Sequence, residues 1–248
     1  NIVPISIDKD GIVIKDIDPK TDIIFTTPSH QYPTGVTMSM NRRNELLSVA
    51  KDNQLVIIED DYDYDFQFEG SAMLPMASSD ANGMVIYLGK FGQSLFPSFQ
   101  TGFLIAPENL ISEAKNYLEL LDKQGDLIQE QVLAELIHEG EIHRLLKKNT
   151  LVYKKRRDAL FFALEKHFEN EITYKKPAGG LAIWLQFEPK ISLKQLAEEA
   201  EKNDLFLPKT ILYQDKKTCA IRFGFGHLSD VEIEIVVKKL KLAYDKLA

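Results

Sequence analysis

The most informative segment of the chain reads Tyr87-Leu88-Gly89-Lys90-Phe91-Gly92-Gln93-Ser94-Leu95-Phe96-Pro97-Ser98-Phe99-Gln100-Thr101-Gly102-Phe103. It connects a β-rich apolar run at 85–89 to a second run at 101–106, and this short connection predicts two antiparallel strands. Two earlier runs, at 22–27 and 55–60, are separated by a helical pattern. Strands that alternate with helices predict parallel pairing with crossover connections, so we predict an α/β fold built on a mixed sheet.

Beyond residue 106 the apolar spacing becomes helical. It predicts two helices broken near Gly125 and a long amphipathic helix over 142–168. Elements then alternate in the order strand 180–187, helix 193–203, strand 218–225 and helix 230–247. Ser229 and Glu232 have the spacing of a capping box for the last helix. We expect a partial large domain over 1–139 and a C-terminal α+β small domain over 140–248.

The composition is that of a globular protein, with 248 residues of which 44% are hydrophobic and 27% charged. A net charge of −7 disfavours binding of the DNA phosphate backbone by this part of the protein. The single cysteine, Cys219, cannot form an internal disulfide, which is consistent with a reducing cytoplasm. No apolar run approaches the ~20 residues that cross a bilayer, so we expect no membrane interaction. The chain begins at Asn1 rather than Met, and we expect a longer gene product.

Polar segments follow three of the predicted strands. They are Thr-Pro-Ser-His-Gln-Tyr-Pro-Thr-Gly at 27–35, Glu-Asp-Asp-Tyr at 59–62 and Lys-Phe-Gly-Gln-Ser at 90–94. In open α/β sheets, ligands bind beyond the carboxyl ends of the strands. We therefore expect the three segments to converge on one cleft.

In this order the segments resemble motifs of class I and II aminotransferases, which are pyridoxal-phosphate (PLP) enzymes of fold type I. The closer resemblance is to the MocR/GabR group of the GntR family, bacterial regulators in which a winged helix-turn-helix is fused to an aminotransferase-like domain. Typical of that group are Pro-Ser-His-Gln-aromatic-Pro-Thr-Gly at 28–35, Glu-Asp-Asp-Tyr-Asp at 59–63, and the helix carrying His138, His143, Arg144, Tyr153 and 156–158. The resemblance runs from about Asp10 to the C-terminus. It implies a fold type I remnant of the large domain, followed by the small domain.

The resemblance implies roles for four residues. Asp60 would lie against the pyridine nitrogen of PLP, Tyr62 near its phenolic oxygen, and Tyr32 in place of the enzymes' asparagine. Arg222, within the apolar run 220–225, would bind a ligand carboxylate with its planar guanidinium. Each of three residues has an alternative role: Asp60 could cap backbone amides, Tyr62 could be a packing residue, and Arg222 could form a buried ion pair.

Two departures from the family pattern bear directly on catalysis. Gln93 stands where the resembled proteins have the lysine that holds PLP, and Gln100 stands where they have an arginine for its phosphate. An amide nitrogen does not condense with an aldehyde, so Gln93 cannot hold PLP covalently. We therefore expect no covalent cofactor and only weak PLP binding in the full-length protein. Lys90, three residues before Gln93, is expected to be a surface lysine rather than a substitute.

Other motifs do not indicate further chemistry. Acidic residues at 61, 63 and 65 begin like a calcium-binding loop, but Phe66 and Ala72 occupy the positions of its glycine and glutamate. His138 and His143 are five residues apart, which does not match a helical zinc site, and we expect no metal. The basic residues over 147–157 are interpreted as a solvated helix face.

We therefore predict the effector-binding and dimerisation domain of a MocR-type DNA-binding regulator, aminotransferase-like but catalytically inactive. Its partners would be a second copy in a homodimer, a small amino-acid-like or carboxylate effector, and promoter DNA through a winged helix-turn-helix outside this chain. The alternative is a PLP-dependent aminotransferase acting on amino acids. A third hypothesis is a dimerisation scaffold whose cleft binds nothing.

Overall fold

The computed structural model describes residues 1–71, 73–91 and 101–248. The chain divides into two compact units. The first unit comprises Asn1–Tyr32, Val36–Asp65 and Ser71–Lys148, and the second comprises Pro33–Gly35, Phe66–Gly70 and Asn149–Ala248. The division therefore falls inside a long helix, Glu141–Phe168.

The first unit is built on a mixed sheet. A short antiparallel pair, β1 (Ile7–Asp8) and β2 (Gly11–Ile12), precedes it. Within the described residues the main sheet has the order β3 (Ile23–Thr26), β4 (Val56–Asp61), β5 (Val85–Lys90) and β6 (Gly102–Ile105). Strands β3, β4 and β5 are parallel and β6 is antiparallel to β5, which confirms the predicted α/β sheet.

Helix α1 (Met40–Asn53) connects β3 to β4 and packs on one face of the sheet. Its N-cap residue, Ser39, accepts a hydrogen bond from the Arg42 amide, and its C-cap residue, Gln54, has a left-handed backbone. Leu46 and Ala50 are fully buried. They pack in an apolar core with Ile24, Ile57 and Val85 of the strands.

The side chains of β4 alternate between the two faces of the sheet. Ile57, Glu59 and Asp61 are buried, whereas Ile58 and Asp60 are only partly buried. This follows from the alternation of side chains along a strand. The carboxylates at the end of β4 are therefore divided between the two faces of the sheet.

Two helices follow β6, namely α2 (Glu108–Leu120) and α3 (Leu127–His138), and α4 (Glu141–Phe168) comes next. The predicted break is confirmed: Gly125 has a left-handed backbone, and Asp126 caps α3 by accepting from the Ile128 and Gln129 amides. Helix α2 buries none of its residues. Large exposed apolar side chains include Tyr117, Leu118, Leu120, Leu121, Leu127, Ile128 and Val132. No helix in the described part of the chain is long and apolar enough to cross a membrane.

The second unit has an antiparallel sheet of order β7 (Ala182–Gln186), β9 (Cys219–Gly224) and β8 (Leu212–Gln214) among the described residues. Helices α5 (Leu193–Glu201) and α6 (Asp230–Tyr244) and the end of α4 share its core, which confirms the predicted α+β pattern. The predicted capping box of Ser229 and Glu232 begins α6. Strand β8 was not predicted, because three residues beside a polar turn give no periodic signal.

Candidate functional site

Asp60 lies at the carboxyl end of β4 beside a lysine. The register of β4 and β5 sets Asp60 opposite Leu88. Because side chains alternate, Lys90 lies two residues beyond Leu88 on the face of Asp60, where it is exposed. The pKa of the Asp60 carboxyl is raised, chiefly by burial, while the positive charge of Lys90 opposes this rise and Asp63 adds to it. The face therefore presents a partly dehydrated carboxylate with an ammonium group nearby.

The two candidate tyrosines meet at the ends of β3 and β4. The rings of Tyr32 and Tyr62 pack edge to face, with centroids 6.3 Å apart and planes at 81°. The Tyr62 hydroxyl donates to the carbonyl oxygen of His30 at 3.0 Å, and the Tyr32 amide donates to Oγ1 of Thr27 at 2.7 Å. Tyr32 and Tyr62 therefore lie in contact, and the Tyr62 hydroxyl is hydrogen-bonded to the segment that follows β3.

The sequence analysis did not predict a buried polar cluster at the ends of β3 and β4. Nδ1 of His30 and Oδ1 of Asp63 are 2.7 Å apart, with 4% and 3% of the two side chains exposed. Glu59 accepts hydrogen bonds from the Met76 and Ala77 amides at 2.8 and 2.9 Å. The capping role considered for Asp60 is thus performed by its neighbour Glu59. The available signal was the alternation of Ile57, Glu59 and Asp61, which places two carboxylates on the core-facing side of β4.

Arg43 supplies the positive charge of this cluster. Its guanidinium is 3.9 Å from Glu59 and donates to the carbonyl oxygens of Met38 and Leu74. Burial raises the pKa of the Asp61 carboxyl, while Ser29, Arg43 and His30 oppose that rise. The phenol of Tyr87 has a strongly raised pKa, first because it is buried and then because Asp61 and Glu59 are negative. The cluster thus joins the segment after β3 to the segment after β4 through His30 and Asp63.

Asp60, Lys90 and Tyr62 are only partly suited to binding PLP. Asp60 is placed as a carboxylate that could face a protonated ring nitrogen. The Lys90 ammonium competes for that carboxylate, however, and the Tyr62 hydroxyl already donates its proton to the carbonyl of His30. Gln93 and Gln100 lie outside the described residues, so their predicted places in the site stay predictions. Among the described residues, no group of three or more His, Cys, Asp or Glu side chains could hold a metal ion.

Arg222 belongs to the second unit. It lies in β9 directly opposite Trp184 of β7 and is partly buried. Its neighbours Ile221 and Phe223 point into the core, so Arg222 lies on the other face of the sheet. Its role in binding a ligand carboxylate stays a prediction.

The second unit also has an open groove of about 680 Å³. It is lined by Phe161, Glu165, Glu169, Asn170, Ile172, Thr173 and Tyr174. Its two glutamates disfavour a carboxylate ligand, because like charges at close range repel. None of the candidate site residues lines this groove, so its shape does not identify the site.

The chain is similar in sequence to bacterial regulators. It is 32% identical over 247 residues to the uncharacterised HTH-type transcriptional regulator YdeL of Bacillus subtilis (strain 168), which covers 98% of this chain and 53% of YdeL. It is 30% identical over 187 residues to the probable rhizopine catabolism regulatory protein MocR of Rhizobium meliloti, which covers 75% of this chain and 38% of that protein. Aminotransferases are among its relatives as well. No protein-family model matches the chain.

Solved structures share the fold. The kynurenine aminotransferase of Pyrococcus horikoshii superposes with a TM-score of 0.90 at 25% sequence identity, over 99% of this chain and 64% of that enzyme. The chain spans about half the length of the first regulators that it matches. The chain has the fold type I architecture of PLP-dependent aminotransferases, and over nearly all of its length it is similar in sequence to part of bacterial HTH-type transcriptional regulators, with MocR among the relatives.

Proposed function

We propose that the chain is the effector-binding and dimerisation part of a MocR-type regulator whose aminotransferase-like site no longer transaminates. The observation that carries this proposal is Gln93, which occupies the lysine position of the motif that follows β5. A carboxamide offers no amine to an aldehyde, so the covalent attachment on which aminotransferases depend is lost. Gln100, at the position of the phosphate-binding arginine, removes a second anchor.

The surroundings of Asp60 support the same conclusion. A carboxylate helps PLP chemistry by stabilising a protonated ring nitrogen. Lys90 lies on the same face of the sheet and lowers the pKa of Asp60 through its positive charge. An ammonium group at that place competes with a pyridinium for the carboxylate. We therefore expect PLP to bind weakly and reversibly in the full-length protein, and Tyr32 and Tyr62 to line a degenerate cofactor site.

The effector would be a small amino-acid-like molecule or another carboxylate. Arg222 is a partly buried guanidinium on a strand, and its planar fork suits bidentate binding of a carboxylate. We assign 1–139 to a partial large domain and 140–248 to the small domain. Effector binding would favour one of two arrangements of a homodimer, and this change would alter the relative positions of DNA-binding domains that lie outside this chain. The coupling free energy between effector binding and such a change is typically ~1–3 kcal/mol.

The test of catalytic loss uses the full-length gene product incubated with PLP and a panel of amino acids. Absorbance reports imine formation, and borohydride reduction followed by peptide mass spectrometry locates any covalent link. The unaltered protein should show neither an imine nor amino-group transfer. The Gln93→Lys/Gln100→Arg double variant is the comparator. Transfer by the unaltered protein at the rate of the double variant would overturn the proposal.

The second candidate function is that of an amino-acid aminotransferase, which is favoured by the presence of aminotransferases among the relatives. The same experiment separates the two functions. A thermal-shift screen with amino acids, dicarboxylates and vitamin B6 forms then tests effector binding. Stabilisation that is lost in Arg222→Met would support the sensing function, whereas no stabilisation by any compound would favour a scaffold.

A further inference from the structure

The groove of the second unit lies at the C-terminal end of α4. Phe161, Glu165 and Glu169 line it and follow one another at intervals of four residues, so they lie on one side of the helix end. Glu169, the first residue after the helix, has a left-handed backbone with φ at 46°, and the chain turns there. Residues of the segment 170–174 line the rest of the groove. The groove is therefore built from one helix end and the loop that follows it.

The two glutamates of the groove have no ion-pair partner. Among the described residues, no cationic side chain has its nitrogen within 4.0 Å of a carboxylate oxygen of Glu165 or Glu169. The neighbouring Glu171, by contrast, pairs with Lys241 at 3.1 Å. Like charges at a spacing of four residues repel each other. The groove therefore carries two negative charges that a bound cation would neutralise.

The end of α4 adds a negative field to these charges. The carbonyl groups of the last helical turn carry a partial negative charge, which favours cations nearby. The basic residues of this turn are Lys166 and His167, and both contact Glu234 of α6. Neither of them lines the groove. The helix end therefore attracts positive charge on the side where Glu165 and Glu169 lie.

Aromatic rings form a wall of the groove. Phe161 and Tyr174 pack edge to face, with centroids 5.5 Å apart and planes at 78°. Burial raises the pKa of the Tyr174 phenol and the negative charge of Glu165 adds to this rise, so the ring and the carboxylate are neighbours. The ammonium of Lys176 lies 5.4 Å from the centroid of Phe161 and pairs with Asp158. The chain thus already places one ammonium group between a ring of this wall and a carboxylate.

We propose that the groove binds an organic diammonium ion, a small molecule with two primary ammonium groups joined by an alkyl chain. One ammonium group would pair with Glu165 and the other with Glu169. The alkyl chain would lie against the rings of Phe161 and Tyr174. The volume of about 680 Å³ falls within the range of small-molecule sites, about 300–1,000 Å³. None of the residues proposed for the cofactor or effector site lines the groove, so this is a separate site.

Other ligands fit the groove less well. A divalent metal ion needs several oxygen ligands, and the described part of the chain holds no group of three or more His, Cys, Asp or Glu side chains that could bind one. A compound with a single ammonium group leaves one of the two carboxylates without a partner. An anion is repelled by both carboxylates. Two positive charges joined by hydrocarbon match the two carboxylates and the aromatic wall together.

Isothermal titration calorimetry of the full-length gene product at constant ionic strength tests the site. The probes are 1,4-diaminobutane, butylamine, 1,4-butanediol and Mg²⁺, which separate the effects of the second charge, the first charge and the alkyl chain. 1,4-Diaminobutane should bind saturably and about tenfold more tightly than butylamine, because its second ammonium group gains a charged hydrogen bond. Neither 1,4-butanediol nor Mg²⁺ should displace it at equal ionic strength.

Three variants locate the site. Glu165→Gln should lower the affinity for 1,4-diaminobutane to that for butylamine, because one carboxylate remains. Glu169→Gly should lower it equally without lowering the thermal midpoint, since glycine favours the left-handed backbone at this position. The matched control is Glu201→Gln, which changes an exposed glutamate in the last turn of α5 and should leave the affinity unchanged. Circular dichroism checks that each variant is folded.

Several outcomes would overturn the proposal. Absence of saturable binding, or equal affinity for butylamine and 1,4-diaminobutane, would show that the two glutamates do not act as a pair. Unchanged affinity in both Glu165→Gln and Glu169→Gly would place the diamine elsewhere. A loss in Glu201→Gln equal to that of the groove variants, or displacement by Mg²⁺ at equal ionic strength, would show that the diamine responds only to the net charge of the protein.

Discussion

Nδ1 of His30 lies 2.7 Å from Oδ1 of Asp63, and both side chains are buried. The two residues are 33 positions apart, so this contact joins the segment after β3 to the segment after β4. The Tyr62 hydroxyl adds a second link between the same segments through the His30 carbonyl. The segments that carry Tyr32 and Tyr62 are therefore joined by a buried polar pair and by the Tyr62 hydroxyl, next to Asp60 at the end of β4.

Removing the carboxylate of this pair should destabilise the first unit. Asp63→Ala leaves Nδ1 of His30 buried without its partner, which costs ~1–3 kcal/mol. Asp63→Asn keeps an acceptor and should cost less. Urea unfolding followed by circular dichroism measures both changes. Asp52→Ala, on the exposed side of α1, is the control and should stay within about 0.5 kcal/mol of the unaltered chain. An Asp63→Ala midpoint equal to that of the control would contradict a stabilising pair.

The charge of Lys90 should control the titration of Asp60. Because Lys90 lowers the pKa of the Asp60 carboxyl, Lys90→Met should raise that pKa further. The pKa of Asp60 in the folded chain is above its ordinary value, so its contribution to stability is present in acid and is lost as pH rises through the folded pKa. Lys90→Met should therefore increase the amount of stability that is lost as the pH rises. Carbon-detected NMR of the aspartate carboxyls measures the shift, and Lys123→Met on an exposed connection is the control. An unchanged Asp60 titration would show that the two groups do not interact.

The sequence allowed most of the fold and only part of the site to be predicted. Apolar runs such as 55–60 and the Ser229–Glu232 spacing are local signals, and the structure has the corresponding strand and cap. The proximity of Lys90 to Asp60 depends on strand register, which no local pattern encodes. The pair of His30 and Asp63 and the pair of Trp184 and Tyr213 arise from contacts between distant segments. Such contacts follow from the tertiary fold and not from periodicity.

The capping box of α6 gives a prediction that depends on pH. Ser229→Ala removes the acceptor for the Glu232 amide and should cost ~0.5–2 kcal/mol. The pKa of Glu232 is lowered, first by the hydrogen bond from the Ser229 amide. Its contribution is therefore present above the unfolded pKa and is lost as pH falls through the folded pKa. Glu232→Gln should destabilise the chain at neutral pH and have little effect in acid, as measured by urea unfolding. The control is Glu201→Gln, exposed at the end of α5, whose effect on the free energy of unfolding should not differ between neutral and acid pH. If the two variants change the free energy of unfolding with the same pH dependence, Glu232 makes no pH-dependent contribution through the cap.

The exposed apolar residues of α2 and α3 should contribute to self-association. Leu127 and Ile128 are 77% and 78% exposed, and apolar surface of this kind on neighbouring helices is typical of an interface. Leu127→Glu/Ile128→Glu should weaken the self-association constant at least about tenfold in sedimentation velocity. The helix itself should persist, because glutamates in a first turn favour the helix dipole and Asp126 still caps the backbone. The control is Ile2→Glu/Leu74→Glu, which adds the same charge at residues 97% and 66% exposed. If both double variants associate as the unaltered chain does, α2 and α3 do not form the interface, and the dimerising role must be carried by another surface.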